Sequence, residues 1–133
     1  MSSATIVLIE DDEASQYFYG TILRRHGYTV RSARFGATGI RTVRDDPPDV
    51  VVLDLGLPEL DGFEVLRQLK HDPATRHVPV IVVTVHVFEH DRDRAIAAGC
   101  DEFLPKPLPP SELLAAVQRT LDRCRPRDPA ADG

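Results

Sequence analysis

The chain is poor in the residues that mark cross-linked or metal-thiolate proteins: its 133 residues include two cysteines, one methionine and no tryptophan. Cys100 and Cys124 give neither a disulfide framework nor a metal-ligand spacing, so a reduced, cytoplasmic setting is expected. Lysine is scarce as well, with Lys70 and Lys106 the two lysines among 16 basic residues. No apolar run approaches the ~18 residues of a membrane span. The start, MSSATIVLIEDD, has no basic n-region and its apolar run stops at Glu10, so neither a signal peptide nor a membrane segment is expected. A net charge of −5, with no basic stripe anticipated along any segment, argues against nucleic acid. The turn after the first apolar run is acidic rather than Gly-rich, which excludes a P-loop and a dinucleotide fingerprint.

What is present reads as one globular domain. Apolar residues make up 42% and charged residues 28%, and the length suits one hydrophobic core rather than two. TIVLI (5–9), DVVVLD (49–54) and VPVIVVT (78–84) have the length and β-branched content of strands buried on both faces. YTVRSA (28–33) alternates like a half-covered strand, and DEFLP (101–105) is a short one. Helical patterns lie between them. The first carries Phe18, Ile22 and Leu23 at helical spacing, which places them on its buried side, and Gly27 stops it. GATGIRTVRDD (36–46) is broken by Pro47 and Pro48. GFEVLRQLKH (62–71) is capped by Asp61, packs Phe63, Leu66 and Leu69, and closes at Pro73. A polar-faced helix over 88–98 ends at Gly99. PSELLAAVQRTL (110–121) begins with a first-turn proline in place of an oxygen-bearing cap. Five strands alternating with five helices predict an α/β fold, a parallel sheet with right-handed crossovers and helices on both faces. The ordered domain is expected over 4–123, with a polar, flexible tail over 124–133.

In such a sheet, ligands gather beyond the carboxyl ends of the strands near a topological switch point. Glu10 and Asp11 follow the first strand, Asp54 the third, Thr84 ends the fourth and Lys106 follows the fifth, so all five fall on one rim. A buried strand that ends on a carboxylate and then breaks at Gly56 and Pro58 places Asp54 for chemistry rather than solvation. Three crowded carboxylates repel one another, and a hard divalent cation relieves this; oxygen-only ligands favour Mg²⁺. With the cation bound, one carboxylate can stay anionic and attack phosphorus to form an acyl phosphate. Charge on the three equatorial oxygens of the transferring group then needs partners. The cation, the Lys106 ammonium, and the Thr84 hydroxyl with backbone N–H groups meet that need.

LIEDD, LDLGLPELDG, VPVIVVT and FLPKP, in this order, resemble the response-regulator receiver domain of two-component signalling, in its stand-alone single-domain form. The resemblance implies a flavodoxin-like, doubly wound sheet of five parallel strands in the order 2-1-3-4-5. It implies Asp54 as phosphoacceptor, Asp11 as a direct Mg²⁺ ligand, Glu10 as a ligand mainly through water, and the Gly56 carbonyl completing the set. Lys106 would contact a phosphoryl oxygen, aimed by a cis Lys106–Pro107 bond, an isomer within reach only for X–Pro amides. Thr84 would move toward the phosphoryl group while Phe103, an aromatic without a hydroxyl, changes rotamer and reshapes a protein-interaction face by packing. Gly56, Val85 and His86 flank the site as tuning positions. Gly56 would leave a path for water, Val85 would restrict access or the inward move of Thr84, and His86 would gate or position water. A measurable but not extreme dephosphorylation rate is expected. The implied partners are a sensor histidine kinase or histidine phosphotransfer protein and a downstream protein target, with neither nucleic acid nor membrane. The effect would come from binding that target, passing phosphate onward, or draining it from a kinase.

Simpler readings compete. Glu10, Asp11 and Asp12 alone would be a helix-start cluster, with Asp12 a cap, and Phe103 fits plain core equally well. HVFEH (86–90) matches an inverted zinc-protease motif with His86 and His90 as ligands and Glu89 as base, although a zinc hydrolase needs a third protein ligand and a cleft. A receiver fold that never takes phosphate and acts as an adaptor is the other alternative. Val85 supports it, and the full acid, threonine and lysine set opposes it. Beyond the chemistry of Asp54 itself, no enzymatic turnover is expected.

Overall fold

A computed structural model describes residues 4–58 and 60–124. The elements alternate as β1 (Thr5–Ile9), α1 (Glu13–Arg25), β2 (Thr29–Ala33), α2 (Gly36–Asp45), β3 (Val50–Leu53), α3 (Gly62–His71), β4 (Val80–Thr84), α4 (Glu89–Ala97), β5 (Glu102–Pro105) and α5 (Pro110–Cys124). The strands pair in parallel in the order β2-β1-β3-β4-β5, the flavodoxin-like order expected.

The apolar strands are buried on both faces because each face has its own helices. Val7, Ile9, Val51, Leu53, Val80 and Val82 pack with residues of α2, α3 and α4. Their alternates Ile6, Leu8, Val50, Val52, Ile81 and Val83 pack with α1 and α5. A strand covered on both sides loses the polar alternation of a half-exposed one, and this is why these segments read as unbroken apolar runs.

Caps fix where several helices begin. Asp12 accepts the N–H of Ser15 at 2.9 Å to start α1, and Asp61 accepts that of Phe63 at 3.0 Å to start α3. At α5 the Pro109 carbonyl accepts the N–H groups of Glu112 and Leu113 at 3.0 and 3.1 Å. After α1 and α4 the chain turns at Gly27 (φ 99) and Gly99 (φ 104), a region that favours glycine.

Three expectations are corrected. Phe18 does not lie on the buried side of α1. It is 48% exposed, while Tyr19 and Leu23, one turn apart, face the sheet, and Phe18 meets the Tyr19 ring edge-on at 5.3 Å. Helix α5 runs past 121 to Cys124 because Arg119 and Arg123 reach back to Glu102 of β5 at 2.8 and 3.3 Å and hold its last turns. Cys124 therefore belongs to the helix, and the rest of the expected tail, 125–133, lies outside the described residues. Lastly, a basic stripe does exist. No acidic residue occurs from Ala14 through Arg44, a span that contains Arg24, Arg25, Arg31, Arg34, Arg41 and Arg44. Averaging charge over the whole chain conceals it. Among the described residues, no helix is long and apolar enough to cross a membrane.

Candidate functional site

Parallel pairing brings the strand ends into line. Ile9 pairs with Leu53 and Leu53 with Val82, and the Asp54 N–H donates to the Ile9 carbonyl at 3.0 Å, so Glu10 and Asp54 leave adjacent strands side by side. The strand order departs from sequence order between β1 and β3, which puts both acids at the switch point. The Lys106 N–H donates to the Thr84 carbonyl at 2.9 Å, which places the end of β5 on the same rim, and the Lys106–Pro107 bond is cis.

Carboxylate oxygens of Glu10, Asp11 and Asp54 lie within 4.8 Å of one another. Lys106 Nζ donates to Glu10 Oε2 and to Asp54 Oδ2, each at 3.0 Å, and the Gly56 N–H donates to Asp54 Oδ1 at 2.9 Å. Glu10 and Asp54 are buried and Asp11 is half-buried, so the pocket is close enough to dry for these charges to act strongly on one another.

Burial drives the Glu10 carboxyl up to about 8, and the adjoining Asp54 carboxylate adds to this, against the opposing pull of Lys106. Asp54 goes the other way. Burial alone raises it, but the Gly56 N–H, the Glu10 hydrogen bond and Lys106 outweigh burial and hold it below the ordinary carboxylate value. Burial opposes the charge on Lys106, and the two carboxylates outweigh it and raise its pKa. Of the two neighbouring acids, Glu10 is thus pushed toward its protonated form and Asp54 toward its anion, the state a nucleophile requires. Carboxylate outnumbers ammonium here, and every donor is oxygen, so Glu10, Asp11 and Asp54 fit a hard divalent cation.

Thr84 is fully buried at the end of β4, and its Oγ1 accepts the His86 N–H at 3.1 Å, leaving the hydroxyl hydrogen to donate elsewhere. A Cβ placed on Gly56 would stand 3.1 Å from His86 Nε2 and 3.6 Å from Asp54 Oδ1. Gly56 and His86 are both exposed, so the imidazole edge stands beside the opening left by Gly56. Val85 is 65% exposed. Phe103 is half-buried against the core shared with α3 and α4.

The zinc motif does not form. Helix α4 begins at Glu89, so His86 precedes it and is not one helical turn from His90. His90 instead stacks on Phe88 at 5.9 Å and lies 3.5 Å from Asp91. Among the described residues, Glu10, Asp11 and Asp54 are the one group of three or more side chains that could hold a metal.

Two residues at the site carry no sequence signal that links them to it. Gln16 Nε2 donates to the Glu10 carbonyl at 3.1 Å, and the Tyr19 ring centroid lies 5.8 Å from Lys106 Nζ. The spacing of Tyr19 from Leu23 would have marked Tyr19 as inward-facing, but nothing local links either residue to the rim.

Comparison with known proteins agrees with this geometry. The family described as response regulator receiver domain matches residues 6–118. The chain is 38% identical over 121 residues to the response regulator PleD of Caulobacter vibrioides, spanning 91% of this chain and 26% of PleD. It is 36% identical over 128 residues to the response regulator MprA of Mycobacterium bovis, spanning 96% of this chain and 55% of MprA. The chain therefore spans about half or less of the length of these curated relatives. A CheY-like receiver domain from Methanospirillum hungatei superposes with a TM-score of 0.88 at 25% identity, covering 92% of this chain and 97% of that one. The receiver domain of the Pseudomonas aeruginosa sensor histidine kinase PA1611, solved with a magnesium ion in its active-site cleft, gives 0.84 at 30% identity, covering 90% and 98%. With an acid cluster, a lysine and a buried threonine on one rim of a 2-1-3-4-5 sheet, this chain belongs to the response regulator receiver domain family.

Proposed function

We propose that the chain accepts a phosphoryl group on Asp54 from a phosphohistidine and signals through a protein-interaction face. The observation that carries this reading is the convergence of Lys106 on Asp54 at 3.0 Å, beside Glu10 and Asp11. In the transfer, an Asp54 carboxylate oxygen attacks phosphorus, the N–P bond breaks, and its electron pair stays on the departing imidazole nitrogen. An acyl phosphate remains on Asp54. Mg²⁺ would be held by Asp11 and Asp54 directly, by Glu10 through water and by the Gly56 carbonyl, and would supply positive charge to the phosphoryl oxygens.

The chain's own groups do the rest. Glu10, whose pKa is raised by burial and Asp54, would release any proton it holds as a cation binds. Lys106 then exchanges a carboxylate for a phosphoryl oxygen. Thr84, its hydroxyl hydrogen uncommitted, moves in to donate to another, and Phe103 repacks behind it. His86, leaning over Gly56, limits how water reaches the acyl phosphate, which gives a measurable but not extreme hydrolysis rate. A phosphoryl group that survives for days in buffered magnesium would contradict that rate.

Apolar side chains are exposed early in α1 and after β4, the segments that follow the strand ends carrying Glu10 and Thr84. Tyr17 and Phe18 of α1 share an apolar groove with Pro107 to Pro110, and Val85, Val87 and Phe88 are exposed where β4 gives way to α4. These suit a sensor histidine kinase or histidine phosphotransfer protein whose histidine is carried on an apolar helical face. The downstream target is a protein, and relay, output and phosphate-sink roles all follow from the same chemistry.

Intact-mass measurement after incubation with acetyl phosphate tests the proposal. The expected result is a Mg²⁺-dependent gain of one phosphoryl mass in the wild type and none in Asp54→Ala. An equal gain in both proteins would overturn it.

A further inference from the structure

The arginines between Ala14 and Arg44 gather around one edge of the sheet. Arg24 and Arg25 end α1, Arg31 lies in edge strand β2, Arg34 follows it, and Arg41 and Arg44 lie on α2. Six of the 16 basic residues fall there with no acid among them, leaving 10 basic residues against 21 acids elsewhere. The molecule is thus strongly polarised despite its acidic total. Arg24, Arg25, Arg34, Arg41 and Arg44 are exposed. Some of this charge is already committed: Arg31 lies 3.8 Å from Asp46, and Arg44 pairs with Asp72 at 3.0 Å. Among the described residues, Arg25, Arg34 and Arg41 enter none of the ion pairs.

One outward acceptor of the edge strand is already taken. Thr29 donates its N–H to Ala4, and the Ala33 carbonyl accepts from Glu10, so the backbone groups of Val30 point to the open side. There the Arg24 guanidinium donates to the Val30 carbonyl at 3.1 Å, a charged plug of the kind that keeps edge strands from pairing. Phe35, which starts α2 without capping it and is 41% exposed, adds an apolar anchor next to Arg34.

We propose that this edge is a docking surface for a carboxylate-rich protein segment. Guanidinium forks match carboxylates bidentately, and arginine with an aromatic and no lysine is the composition of protein interfaces. A nucleic acid fits less well. Its charge continues past the patch, and the acidic remainder of the molecule lies within reach of a screening length of about 8 Å. A short acidic segment can address Arg25, Arg34 and Arg41, which enter none of the ion pairs among the described residues, whereas Arg31 and Arg44 already face Asp46 and Asp72.

The full chain is tested by fluorescence anisotropy against a labelled peptide in which Glu alternates with Gly around one central Leu, and against an oligothymidylate of the same length. The expected result is salt-sensitive peptide binding. It weakens roughly tenfold in the triple variant Arg25→Ser, Arg34→Ser, Arg41→Ser and also in Phe35→Ser, while Mg²⁺-dependent phosphorylation of both variants stays at the wild-type level. Peptide binding that is absent, or equal in wild type and triple variant, overturns the proposal. Tighter, arginine-dependent binding of the oligonucleotide overturns the assignment of partner. Neither result bears on Asp54.

Discussion

Lys106 Nζ stands 3.0 Å from both Glu10 and Asp54, and Glu10 is displaced from its ordinary value of 4.5 to about 8, chiefly by burial. Protonated Glu10 therefore favours the metal-free fold. Its contribution is complete below 4.5 and is lost as pH rises through about 8. A divalent ion takes the place of that proton. Mg²⁺ should accordingly raise the melting temperature more at about pH 8 than at about pH 6, and Glu10→Gln should flatten the difference. A Mg²⁺-induced shift independent of pH would contradict the assignment. Gly62 makes a steric prediction. A Cβ there would lie 2.3 Å from the Leu55 Cα and 2.7 Å from its carbonyl carbon, backbone that cannot rotate away, while the Gly62 N–H donates to the Leu55 carbonyl at 3.1 Å. Gly62→Ala should cost about 2 kcal/mol in urea unfolding; a negligible loss would mean that the loop after Asp54 moves freely. At this scale, Asp12 and Asp61 were legible as caps because a cap is a local hydrogen bond. Gln16 and Tyr19 were not, because their partners are set by how α1 lies on the sheet.

Among the helices, α4 is the least firmly seated, with Ala95 its one fully buried residue. The Arg94 guanidinium sits 4.0 Å from the Phe63 ring centroid and 3.9 Å from Asp61 Oδ2, tying α4 to the start of α3 and thus to the loop that carries Asp54. Both partners are partly exposed, so the tie contributes under about 1 kcal/mol. That suits an element which the proposed movement of Thr84 and Phe103 would shift. Arg94→Ala should speed amide hydrogen exchange across α4 and leave β1 and β3 unchanged; equal protection in α4 would show that the clamp does not hold it. The strands were legible because two-sided burial writes itself as unbroken Val, Ile and Leu. Phe18 misled because apolar periodicity alone does not say which of two adjacent aromatics turns inward, and packing chose Tyr19.

For the molecule as a whole, alternation of five strands and five helices predicted the doubly wound sheet, and the sheet in turn gathers residues as distant as Glu10 and Lys106. Summed charge was equally easy to count and less informative. The total of −5 conceals an arginine-rich edge and an acidic remainder, which separate only when the elements are placed in space. No arginine of the edge pairs with Glu10, Asp11 or Asp54 among the described residues, although Arg34 follows Ala33, whose carbonyl accepts the Glu10 N–H. The account rests on Asp54 as the residue that carries phosphate. The most direct measurement is borohydride reduction of protein incubated with acetyl phosphate and Mg²⁺, followed by peptide mapping, since hydride converts an acyl phosphate to an alcohol. The account predicts homoserine at position 54, present with Mg²⁺ and absent without it. An intact Asp54 with the reduced residue at another acid, Glu10 or Asp11 included, would contradict it.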